Sequence, residues 1–183
     1  MRMTFRRMAD RRPVETLVER DDGVVFAMRG AGGGADLPHD LVHAVVETAL
    51  PLADGIWGCV ADGVVWGSMR HVSGRRPPHS AERSDRLKAE RRDAVMRAEH
   101  LADAVGRLAG GAEVVPGEVA ASGMPAERID AAVVAVRDAA RRWAALPVGE
   151  EWVVEWPPPG RSRRAAAQPR RAAAPRSRRG SGR

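Results

Sequence analysis

Residues 14–28 read Val14-Glu15-Thr16-Leu17-Val18-Glu19, then Arg20-Asp21-Asp22-Gly23, then Val24-Val25-Phe26-Ala27-Met28. An Asp-Gly step between two β-branched runs predicts a hairpin, because glycine takes the positive φ of a tight turn without steric cost. A lone two-stranded hairpin is marginal in water, so this one needs more strands or a covering layer. Met3-Thr4-Phe5 alternates weakly and supplies a further strand on the N-terminal side. Far along the chain, Glu150-Glu151-Trp152-Val153-Val154-Glu155-Trp156 reads as another, cut off by Pro157, Pro158 and Pro159.

Helical periodicity fills the interval. Asp36-Leu37-Pro38 starts a helix, with Asp as cap and proline tolerated in the first turn. Leu41, Val42, Val45, Val46, Ala49 and Leu50 then recur at helical spacing until Pro51. Residues 54–69 admit two readings, a second hairpin across Asp62-Gly63 or a glycine-bearing helix packed closely on its neighbour, and helix is preferred. Residues 71–79 read as a loop, and Ser80–Ala109 as one long helix striped by Leu87, Ala94, Ala98, Leu101, Val105 and Leu108. A second long helix, Pro125–Leu146, carries Ile129, Ala132, Val133, Val136, Ala140 and Trp143. Burying both stripes requires the C-terminal strand to rejoin the N-terminal hairpin. The expected fold is therefore α+β: a small antiparallel sheet with three to four helices on one face, two of them long and amphipathic.

With 183 residues, the chain suits one domain plus an appendage. Residues 1–159 are expected to form that domain, and 160–183 a disordered tail rich in Arg, Ala and Pro. The net charge of +6 conceals a division. Residues 161–183 hold nine arginines and no acid, so the other 160 residues carry 21 basic against 24 acidic side chains, a net −3. The single cysteine, Cys59, excludes an intramolecular disulfide framework. The chain lacks the run of ~18 apolar residues that a membrane span requires. Met1-Arg2-Met3-Thr4-Phe5-Arg6-Arg7 has charge but no apolar segment of the signal-peptide kind, which points to a cytoplasmic setting.

One constellation carries possible chemistry: His39-Asp40-Leu41-Val42-His43, with Glu47 beyond. Histidines four apart on a helix share a face and reach a common ion, the spacing used by HExxH zinc hydrolases. His39 and His43 are thus candidate metal ligands, with Asp40 or Glu47 as possible base. A third ligand has to come from His71, His79, His100, Cys59 or a distant carboxylate. On a wheel of ~100° per residue counted from Leu41, the apolar set spans about 0–180°, His39 and His43 fall near 160° and 200°, and Glu47 and Asp40 near 240° and 260°. That places the imidazoles on the border between core and solvent and both carboxylates on the wet side. The competing reading is a pair of half-buried structural histidines.

Other signals are weaker. Gly30-Ala31-Gly32-Gly33-Gly34-Ala35 fits G-x-G-x-x-A, but it follows a hairpin strand rather than a parallel βαβ unit, so a plain connection is preferred. Cys59 and Trp57 read as core residues, there is no tyrosine, and no cofactor is called for. The basic tail, Arg161–Arg183, attracts the phosphates of nucleic acid or anionic lipid, and without aromatic side chains to stack on bases any nucleic-acid contact is expected to be nonspecific; the preferred reading is a solubilising disordered extension.

The run Asp36-Leu37-Pro38-His39-Asp40-Leu41-Val42-His43-Ala44-Val45-Val46-Glu47, with Trp57-Gly58 following, resembles a group of uncharacterised actinobacterial proteins built around an LPHDLVH helix. The likeness is closest over residues 36–66 and does not cover the tail. It implies the same layout and a cytoplasmic setting, and it brings no catalytic residue. Three functions follow in order of preference. The first is a non-enzymatic binding or assembly module, with a homodimer through the 80–109 helix as one form of it. The second is a metal-dependent hydrolase built on His39 and His43. The third is a nonspecific nucleic-acid-associated protein acting through its tail.

Overall fold

Gly23 adopts φ +76°, and the Arg20 N–H donates to the Val24 carbonyl at 3.0 Å, which closes the hairpin at the Asp-Gly step. The computed structural model describes residues 1–9, 14–30, 34–114, 117, 119 and 122–156. Strands β1 (Arg2–Arg6), β2 (Glu15–Glu19), β3 (Val25–Arg29), β4 (Met69–Ser73) and β5 (Glu151–Glu155) form one antiparallel sheet in the order β4-β3-β2-β1-β5. The C-terminal strand does return to β1, pairing Met3 with Val154 and Phe5 with Trp152. Between the strands lie α1 (His39–Ala49), α2 (Ile56–Asp62), α3 (Ser80–Glu90), α4 (Arg92–Ala109) and α5 (Ala126–Ala145). The α+β class is as expected. The predicted tail, Pro157–Pro159 and Ala31–Gly33 of the glycine run lie outside the described residues.

Period-two alternation sends Met3, Phe5, Val18, Phe26 and Met28 to one face of the sheet, where they pack with Leu41, Ala44, Trp57, Val60 and Trp143. A second cluster joins Val46 and Leu50 of α1 to Leu101, Ala102 and Val105 of α4 and to Ile129, Ala132 and Val136 of α5. Helix α1 is therefore shared by two cores, and this decides the environment of its histidines. The two largest buried side chains are Trp57 and Trp143. Each keeps its indole N–H satisfied, donating to the Asp40 carbonyl at 3.0 Å and to the Gly34 carbonyl at 3.1 Å respectively.

Four local expectations need correction. Asp36 does not cap α1: the N-cap is Pro38, whose carbonyl accepts from Leu41 and Val42, with no side-chain cap. The helix read over 54–69 is only Ile56–Asp62, because Gly63 turns to φ +116° and ends it. The loop read over 71–79 begins with an edge strand, β4, whose residues are almost all exposed and which is held by pairing with β3. Exposure on an edge removes the alternation by which a strand is recognised. The single helix read over Ser80–Ala109 breaks at Arg91 (φ −107°, ψ 12°). Arg91 there reaches Asp62 at 2.8 Å, while Ser84 Oγ accepts the Val65 N–H at 3.0 Å, so α3 is held along the segment leaving α2. The apolar seam of α4 is packed within the chain against α1 and α5.

Candidate metal centre

His39 and His43 lie one turn apart at the start of α1, and their rings meet edge-to-face with centroids 4.7 Å apart. Their exposures differ sharply. The His39 side chain is 53% exposed, whereas that of His43 is 2% exposed, deep in the seam with α4. From α4, beside buried Ala98 and Leu101, Glu99 brings Oε2 to 3.3 Å from His43 Nε2. One ligand atom each from His39, His43 and Glu99 falls within 4.8 Å of the others, close enough to share an ion.

Behind this group stands Glu47, 1% exposed. Its Oε1 lies 3.4 Å from His43 Nδ1. The same carboxylate accepts the N–H groups of Ile56 (2.9 Å, Oε1) and Trp57 (3.1 Å, Oε2), the first amides of α2. Those amides need an outside acceptor because the N-cap of α2 is Gly55, which has no side chain to offer. A Cβ on Gly55 would stand 2.6 Å from the Glu47 carboxylate carbon, so glycine is what admits it. The wheel placed Glu47 in solvent and His43 at the border. Both are buried, because α1 is covered by α4 and α2 as well as by the sheet.

Asp40 follows a different course. Its carboxylate packs against the backbone at Gly30, where a Cβ would meet Oδ2 at 2.3 Å, and buried Oδ2 makes no hydrogen bond. Of the other proposed third ligands, His71 Nε2 donates to the Gly74 carbonyl of its own turn (2.9 Å), exposed His79 lies 3.8 Å from Glu82, and His100 is exposed. Cys59 is buried, with Sγ 3.5 Å from the Asp54 carbonyl, and burial pushes its thiol pKa up, away from nucleophilic character. A distant carboxylate, Glu99, is the one that arrives.

Electrostatically the site is a trap for positive charge. Burial alone would lower the His43 imidazole pKa, but the Glu47 and Glu99 carboxylates on either side overcome it and hold it at about 9. Burial raises the Glu47 carboxyl against the pull of His43 and the α2 amides. Glu99, more open, is lowered by its contact with His43. Both His43 nitrogens are shielded from solvent at ion-pair distance from carboxylates, and neither meets hydrogen-bond geometry.

Comparison with known proteins returns no match, whether to protein families, to curated proteins or to solved structures. Among the described residues, no helix is long and apolar enough to cross a membrane.

Proposed function

We propose that this chain is a non-enzymatic binding module whose ligand is a divalent first-row transition-metal ion, clasped between α1 and α4 by His39, His43 and Glu99. The observation that carries the reading is the convergence of one ligand atom each from His39, His43 and Glu99 within 4.8 Å of one another, with the buried His43 ring as the inner wall. Two imidazoles and one carboxylate suit zinc and its neighbours better than magnesium or calcium, which prefer all-oxygen shells. The half-open side, formed by His39 and Glu99, gives an ion a route in, while His43 supplies the fixed wall.

The non-enzymatic form is supported by the employment of the two carboxylates considered as bases. Glu47 has both oxygens engaged by α2 amides, while the Asp40 carboxylate is wedged against the backbone at Gly30, with Oδ1 3.8 Å from His39 Nδ1. Glu47 is therefore not poised to take a proton from a metal-bound water. A metal-dependent hydrolase is the second reading, favoured by one feature: three protein ligands leave a tetrahedral position for water, as in catalytic zinc sites. Titration of the metal-free protein with zinc by calorimetry tests the first reading, with one-to-one binding expected and nothing tighter than ~1 mM counting against it. Zinc-dependent turnover of a simple activated ester, lost in His43→Gln, would shift the balance to the second.

A further inference from the structure

The proposed centre has a feature that its three ligands do not explain, the fully buried carboxylate behind them. Glu47 lies on the side of His43 opposite Glu99: Nδ1 faces Glu47 Oε1 at 3.4 Å and Nε2 faces Glu99 Oε2 at 3.3 Å. A histidine that ligates through one nitrogen needs its other N–H held by an acceptor, since this fixes both tautomer and ring orientation. Glu47 is the acceptor within reach of Nδ1, and it cannot swing aside. Its oxygens are pinned by the Ile56 and Trp57 amides, in the space that the missing side chain of Gly55 leaves for the carboxylate.

Resting on the metal reading above, we infer that Glu47 is a positioning residue: it holds the Nδ1–H of His43, dedicates Nε2 to the metal, and ties the occupancy of the centre to the first turn of α2. The link is short. One carboxylate meets the imidazole on one side and two backbone amides on the other, so replacing the proton on His43 Nε2 by an ion changes the charge that this carboxylate, and through it the Ile56 and Trp57 amides, experiences. Glu47 touches no ligand-exchange position, and its effect passes wholly through His43.

The test uses the full chain, zinc as the probe, and nitrogen-15 NMR of the histidine rings beside calorimetry. In the native protein, zinc is expected to ligate Nε2 of His43 with Nδ1 protonated, and the amide resonances of Ile56 and Trp57 are expected to move on addition of one equivalent. Glu47→Gln is expected to bind zinc 10- to 100-fold more weakly, the usual loss for a second partner of a metal-bound histidine, with mixed tautomers at His43. Ligation through Nδ1 in the native protein, or unchanged affinity and tautomer in Glu47→Gln, overturns the inference while leaving the metal site standing. Failure of the native protein to bind zinc overturns the metal reading itself, and the inference with it. Should Glu47→Gln not fold, the tautomer of the native zinc form decides alone.

Discussion

At the scale of single residues, the protein turns on a buried positive charge. With no metal bound, His43 is an imidazolium between Glu47 and Glu99, with the His39 ring 4.7 Å away. A folded-state pKa raised from 6.5 to about 9 contributes stability that is fully present below pH 6.5 and lost as pH rises through 9. Glu47, also raised, has the same sign; Glu99, lowered, contributes stability that is lost on acidification instead. Chemical denaturation in the presence of a chelator is therefore expected to show a fall on the order of 1–3 kcal/mol between pH 6.5 and 9.5, and His43→Gln is expected to flatten that window. An unchanged slope in His43→Gln would place the titrating group elsewhere. The pairing of His39 with His43 was legible in sequence because i and i+4 share a helical face whatever the fold. Glu99 was not, since its place beside His43 depends on how α4 docks on α1. Glu47 was put in solvent because a helical wheel assumes one core, and α1 has two.

Among elements, α2 is the most tightly specified. Seven residues form a helix too short to persist by propensity. It is held instead by Glu47 at its start, by Gly63 at its end, and by Trp57 and Val60 in the main core. Gly58 lets it lie against the preceding segment, since a Cβ there would stand 1.7 Å from the Ala53 carbonyl oxygen. Backbone cannot yield as a side chain does, so Gly58→Ala is expected to cost about 3 kcal/mol, the upper part of the overpacking range. Gly67→Ala, where an added methyl meets nothing within 4 Å, is the matched control and is expected to stay within about 0.5 kcal/mol of the native protein. Equal melting temperatures for the two variants would remove this view of α2. The Asp-Gly dipeptide shows how far sequence reaches at this scale. Asp22-Gly23 is a hairpin turn at φ +76°, whereas Asp62-Gly63 is a helix end at φ +116°. Glycine is legible in both as a positive-φ residue, but the element it closes is set by whether the preceding side chains fill a helix face or a sheet face. Strand β4, exposed and irregular where Val25 meets it, carries no such signal.

Over the whole molecule, the sheet order β4-β3-β2-β1-β5 brings the two ends of residues 2–155 into one layer, with α1 between that layer and the α4–α5 pair. The strands at both ends, the two long apolar stripes and the α+β class followed from periodicity. The approach of Glu99 to His39 and His43 followed only from assembly. The charge division makes a separate prediction. Removing residues 161–183 takes away nine arginines and leaves a body of net −3, so retention on heparin is expected to collapse while zinc affinity and melting temperature hold. If several of those arginines meet phosphate, log K for DNA falls with log salt by roughly 0.7–0.9 per contact in the intact chain. Retention unchanged by the deletion would move the basic surface onto the folded body. The clasp between α1 and α4 is tested most directly by calorimetric zinc titration of the native protein beside Glu99→Ala. One ion per chain, at least tenfold weaker binding in the variant, and about 2.7 kcal/mol of added stability at a hundredfold excess over Kd are the expected result. Identical isotherms for the two proteins, or no binding to either, would contradict a metal centre at His39, His43 and Glu99.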